Sequence, residues 1–526
     1  MIKGEEKVKL ISLSSAMSVG ALEAFKEYSI AKCLDDIRKG EWDNKKINKE
    51  SVYQYISKLY DQSYRLIPEN APTGEEGTNM IKNSVLNSLK HVRLVEAEHR
   101  LMEYPLKRYR FLNIPLKKNF GFDIEDIVDF ADSLLGWIKM DFRLKYTHFT
   151  NEREAFENLD RSVGSPLPLP TQHIIENWKG AITFEREELL KFLTVINTGP
   201  KDDPLELAEL TQTDFEDMKD LDNLRKIEDI LEQCIFNEDE IDKYDNLIYD
   251  NFLRKKPILS YGDKIIVPVP FLLSELPNAL TYDLGIKCMG KGKFRDKSGK
   301  AFEKLAALEL KYLFGKDNVT VGKHYNKHEG YPDVDILVEW RDKAIVGECT
   351  SVHLPREFHK NNDVLFDVFD SSMKKCYKQV LRAKEGLQNN PREFGFEKEP
   401  DEIYPIIITE IPILAFNPNL LNTTYLKQFM DNNNMAYALD IFSLKKIMNK
   451  CYDAKEFTDF LDWRLDSINI RELGNFATAW EADSFVYFRI YGDRFSKKMR
   501  KMQMNFLMTM NIDQITSHVN NNNRII

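Results

Sequence analysis

Two runs rich in aliphatic and β-branched residues, Asp333-Val-Asp-Ile-Leu-Val-Glu-Trp340 and Lys343-Ala-Ile-Val-Gly-Glu-Cys-Thr350, are separated by only Arg341 and Asp342. Runs of this kind form strands, and a two-residue connection leaves room for an antiparallel hairpin and little else. With the turn centred between Arg341 and Asp342, residues whose numbers sum to 683 stand opposite one another. Asp335 then faces Glu348 across the ladder, with Cβ atoms about 5 Å apart. Thr350 has the parity of Glu348, so its hydroxyl points to the same side.

The rest of the chain is read outward from this hairpin. Up to about residue 250 the apolar spacing is helical, as in Val85, Leu86, Leu89, Val92, Val95 and again in Ile124, Ile127, Val128, Leu134, Leu135, Ile138. A breaker-rich stretch at 164–170 divides this helical region into two candidate subdomains. The texture changes near 255. Residues 257–267 read as two short strands about Tyr261-Gly262-Asp263, and a basic loop runs from Lys287 to Lys300. Ser298 reads as the N-cap of a helix that Gly315 stops. Val319–Val321 is a further strand, a helix follows from about Asp363 to Leu387, and Ile403–Thr409 and Ile411–Ala415 read as buried strands. Beyond about 440 the pattern is helical again. The expected organisation is an α+β or α/β multidomain chain: an all-helical region at 1–250, a mixed-sheet α/β/α core at 255–450, and a helical tail at 451–526.

Composition narrows the class. The chain is 43% apolar and 30% charged, the balance of a globular protein, and no run of eighteen apolar residues suggests a membrane span. Six scattered cysteines without a C-x-x-C pair argue against a zinc ribbon or a disulfide framework and fit a reducing cytoplasm. The net charge of −10 is misleading, because residues 201–250 alone carry eighteen acids against five bases. Residues 287–327 carry eleven bases against four acids, so a polyanionic partner stays open. Lys291, Lys293, Arg295 and Lys297 are the first candidates to meet one. A basic aromatic segment at 487–501 is a second candidate to track a nucleic-acid backbone. The acidic segment could in turn cover the basic one.

Two carboxylates opposed on a sheet repel each other unless a cation lies between them. Ligation by oxygen alone suits Mg²⁺ or Mn²⁺. A third acid, Glu303, sits on the preceding helix in Phe302-Glu303-Lys304. The pieces Gly299-Lys-Ala-Phe-Glu303, Pro332-Asp-Val-Asp335, Glu348-Cys-Thr350 and Lys375-Cys-Tyr-Lys-Gln379 come in the order of the PD-(D/E)XK nuclease superfamily, which the region 255–450 resembles. The resemblance implies a restriction-endonuclease-like core and Mg²⁺-dependent hydrolysis of phosphodiesters, with DNA expected ahead of RNA. It implies that Asp335 and Glu348 ligate the metal, the Cys349 carbonyl completes the shell, and Glu303 binds the metal or orients its water. It gives Gln379 the task of holding substrate or carboxylates. Family members of this size are associated with bacterial anti-phage defence.

One departure stands out. The family's lysine falls on Thr350, and threonine brings no positive charge to a phosphoryl transition state. Lys375, one turn before Gln379, is the first candidate to have taken over, followed by Lys374 and Lys378. The other reading is a weakened or inactive site in a nucleic-acid-binding or scaffold protein regulated by its helical N-terminal region. That region is also the expected surface for a protein partner or for self-association; no membrane partner is expected.

Overall fold

A computed structural model describes residues 98–142, 182–198, 221–237, 256–268, 270–323, 333–351, 375–410 and 436–469, together with a few single positions. The described chain is an α+β mixture built around two sheets. Among the described residues, no helix is long and apolar enough to cross a membrane.

The first unit opens with helices α1 (Glu98–Arg108), α2 (Asn113–Phe120) and α3 (Ile124–Phe142). The start of α3 is set by Asp123, whose carboxylate accepts from the amides of Glu125 (3.0 Å) and Asp126 (3.2 Å) while Asp126 accepts from the Asp123 amide (2.8 Å). This reciprocal arrangement satisfies donors that a helix start otherwise leaves bare. The apolar stripe of α3 is buried as its periodicity predicts, with Ile124, Ile127, Leu134, Leu135 and Ile138 at most 1% exposed. Helices α4 (Arg186–Thr198) and α5 (Leu221–Cys234) pack beside it.

The expectation of an all-helical region before residue 250 needs correction. Strand β1 (Ile182–Glu185) precedes α4 and strand β2 (Ile235–Phe236) follows α5. Both join β3 (Ile258–Tyr261) and β4 (Lys264–Val267) in a sheet ordered β1-β4-β3-β2. The turn at Gly262 (φ 56°) forms where it was read, but its hairpin belongs to this first sheet and not to the later core. Strands of four and two residues carry too few alternations to stand out from a helical background. The acidic stretch 201–250 is described mainly through α5, whose Ile227, Ile230 and Leu231 are buried. The breakers at 164–170, the run Ile411–Ala415, the segment 487–501 and Lys374 lie outside the described residues.

Helices α6 (Leu276–Met289) and α7 (Lys291–Phe314) follow, joined at Gly290 (φ 77°). They cross so closely at Gly285 that a Cβ there would lie 2.4 Å from Cε2 of Phe294. The stretch expected as a basic loop, Lys287 to Lys300, is instead the last turn of α6, the junction at Gly290 and the first ten residues of α7. Ser298 is not its N-cap but a buried mid-helix residue. Lysines and an arginine at a helix start oppose the helix dipole, so the sequence signals no boundary there. Gly315 does end α7, with φ of 88°.

The second sheet runs β5 (Val319–Lys323), β6 (Val334–Trp340), β7 (Lys343–Thr350), β8 (Glu402–Thr409) and β9 (Tyr437–Asp440) in that order. The β5–β6 and β6–β7 pairs are antiparallel; β7–β8 and β8–β9 are parallel. Helix α8 (Lys375–Asn389) supplies the crossover from β7 to β8 and packs on both. Helices α9 (Ile441–Lys450) and α10 (Ala454–Asn469) cover the same core as α7. That long helix is shared: Phe294 belongs to the first apolar core, while Phe302, Leu310 and Phe314 belong to the second.

Candidate active site

The β6–β7 register is the one the turn predicts, with Ile336 opposite Gly347 and Trp340 opposite Lys343. Continued by one residue, it sets Asp335 opposite Glu348. The two carboxyl groups are in hydrogen-bonding contact, and the Cys349 amide donates to Oδ2 of Asp335 at 2.8 Å. Glu348 is 3% exposed, and its Oε1 is buried with no donor reaching it from the described residues.

Burial and the neighbouring Asp335 together push the Glu348 carboxyl up to about 9. Burial also raises Asp335, against the pull of the Cys349 amide and Glu348. Two carboxyls this close and this buried resist ionising together, so the pair keeps a shared proton into the range where lone carboxylates are ionised. Glu303 projects from α7 toward the same acids. Burial raises its pKa first and Asp335 second, while Lys300 and Lys304 pull it back.

Helix α8 brings the cation. Lys375 is exposed at its start and lowers the pKa of both Asp335 and Glu348. Gln379 follows one turn later and is half-buried, while Lys378 is exposed. Thr350 hydrogen-bonds the Cys376 thiol, itself pushed up to about 12 by burial and Glu348. Burial and the surrounding acids also raise Cys349 well above the thiol range. The Thr350 hydroxyl is thus spent on α8.

Once the shared proton leaves, the two carboxylates are acceptors only, and with an oxygen that meets no donor among the described residues they fit a hard divalent cation in its place. Asp335 and Glu348 would be the side-chain ligands. Among the described residues, no three His, Cys, Asp or Glu side chains gather as a metal-holding group, so Glu303 stands at electrostatic range rather than in that group.

Four of the basic residues expected to meet a polyanion, Lys291, Lys293, Arg295 and Lys297, are exposed on the first two turns of α7. Arg295 hydrogen-bonds Tyr282, and the Lys297 ammonium lies 6.0 Å from the Phe111 ring centroid. Lys293, Lys297, Lys300 and Lys304 share one face at helical spacing. This row ends beside Glu303. Reading the sequence misses a second polar group: Arg108 of α1, Tyr104, Ser298 and Glu410 are all buried together. No spacing rule connects residues so far apart. Comparison with protein-family models, curated proteins and solved structures returns no match to this chain.

Proposed function

We propose that the chain is a Mg²⁺- or Mn²⁺-dependent nuclease of the PD-(D/E)XK kind, hydrolysing phosphodiester bonds in nucleic acid. The observation that carries the reading is the buried Asp335–Glu348 pair, in which one Glu348 oxygen meets no donor among the described residues and could accept a cation. The succession of α7, three antiparallel strands, α8 and a parallel fourth strand supports it, because this is the core order the resemblance implies. The lysine row on α7, which forms no ion pair among the described residues, supports a phosphate-bearing substrate. Bacterial anti-phage defence remains the setting suggested by the family resemblance alone.

A bound Mg²⁺ or Mn²⁺ supplies Lewis acidity toward a phosphoryl oxygen and acidifies water. Asp335 and Glu348, with the Cys349 carbonyl, would hold it. Glu303, whose pKa burial and Asp335 raise, would orient that water or accept its proton. Lys375 offsets the charge that develops on the phosphoryl oxygens. Gln379 stands on the same face one turn on.

A second reading is a catalytically weak member that binds nucleic acid without cutting it. It is favoured by Thr350, which brings no charge and is tied to Cys376. Incubation of the full chain with single- and double-stranded DNA and RNA, with Mg²⁺, Mn²⁺ or EDTA, separates the two. We expect metal-dependent cleavage that Asp335→Asn and Glu348→Gln abolish. Lys375→Ala should slow it by about 10²–10³-fold, the usual loss for one electrostatic donor. Cleavage that survives in EDTA or in purified Glu348→Gln overturns the assignment.

A further inference from the structure

We propose that Arg108 is a positioning residue, whose guanidinium on α1 clamps α7 and the ends of β7 and β8 in the arrangement the Asp335–Glu348 site needs. The inference rests on the nuclease reading of that site and extends it to a residue of the first unit. Arg108 is 1% exposed. Its Nη1 donates to the Tyr104 hydroxyl at 2.6 Å and ion-pairs with Oε1 of Glu410 at 2.9 Å, and Nη2 donates to Oγ of Ser298 at 3.0 Å. Tyr104 donates to Glu410 as well, at 3.2 Å.

Both arms of the fork lead to the site. Glu410 follows β8 directly, and its amide donates to the carbonyl of Thr350 at 3.2 Å. Thr350 ends β7 two residues after Glu348, so an anchored Glu410 fixes the strand end that carries the carboxylate. Ser298 lies five residues before Glu303 on α7, and the guanidinium carbon stands 4.8 Å from the Phe302 ring centroid. One cation therefore contacts α7, which bears Glu303, and through Glu410 reaches the end of β7, which bears Glu348.

Stability alone does not require this group. Burial opposes the charge and Nε has no acceptor among the described residues, although Glu410 keeps the guanidinium ionised. Apolar replacement of a buried ion pair is often neutral or stabilising. What an apolar pair lacks is direction: a planar fork sets angle and distance to three partners at once.

The test uses the full-length protein and an Arg108→Met, Glu410→Leu double variant, which preserves volume and removes both charges. Amide hydrogen exchange at positions 349 and 410 is read beside the melting temperature and metal-dependent kcat and KM. Position 349 reports the bond to Asp335, and position 410 the bond to Thr350. We expect a melting temperature near that of wild type, exchange about tenfold faster at both amides, and kcat lower by about 10²-fold with KM unchanged. Native exchange and kcat in a folded double variant overturn the clamp. Should the double variant not fold, Arg108→Lys decides, since it keeps the charge and loses the fork. Faster exchange at both amides supports the clamp, and wild-type exchange overturns it. Wild-type protein with protected amides but no metal-dependent cleavage overturns the nuclease reading instead and leaves the clamp standing on exchange.

Discussion

At the scale of single residues, Glu348 concentrates the chemistry. A carboxyl whose folded-state pKa is about 9, against an ordinary 4.5, binds its proton more tightly in the native than in the unfolded chain. The native state is then favoured most below the unfolded value. That advantage is lost as pH rises, because the unfolded chain ionises freely while the folded one must hold a proton or bury a second charge beside Asp335. Glu348→Gln keeps a hydrogen-bond donor and cannot ionise. We expect the metal-free variant to become progressively more stable than wild type from about pH 5 to about pH 9, by about 2–4 kcal/mol at the upper end. Urea unfolding across that range checks it; parallel pH profiles would refute the shared proton.

Among the elements, α7 does the most. Its N-terminal half carries Lys293, Lys297, Lys300 and Lys304 on one face, with no ion pair among the described residues. Like charges at this spacing repel, and positive charge at a helix start opposes the dipole. Replacing all four with glutamine should therefore leave the helix at least as stable. If the row meets a phosphate backbone, the same change should lower nucleic-acid affinity at low salt. It should also flatten the dependence of log K on log salt by about 3. Fluorescence anisotropy in EDTA measures both. A variant with the wild-type salt slope places the backbone on another surface.

For the whole molecule, the two units are not separable parts. Helix α7 lends Phe294 to the first core and Phe302 and Phe314 to the second, while β4 pairs with β1 from before residue 200. A chain starting at residue 255 would lose β1, β2, helices α1 to α5 and, with α1, Arg108. It would also strip Glu410 of both Arg108 and Tyr104 and bare the part of the second core that Leu101 and Tyr104 cover. We expect this fragment to show no cooperative thermal transition by circular dichroism. A native-like cooperative melt would establish the later sheet as an independent domain.

Local periodicity and turn chemistry were enough to determine the β6–β7 hairpin, its register and the opposition of Asp335 to Glu348, because strand parity and a two-residue turn depend only on near neighbours. The stripe of α3, the turn at Gly262 and the stop at Gly315 were legible for the same reason. The start of α7 was not, since lysine-rich helix starts carry no capping signal. Which strands share a sheet was decided only in three dimensions, as with Ile182–Glu185 against Lys264–Val267. So was the meeting of Tyr104 with Glu410, 306 positions along the chain. A buried charge selects its partner by the desolvation it suffers when unpaired, and that penalty exists only after the chain has closed around it.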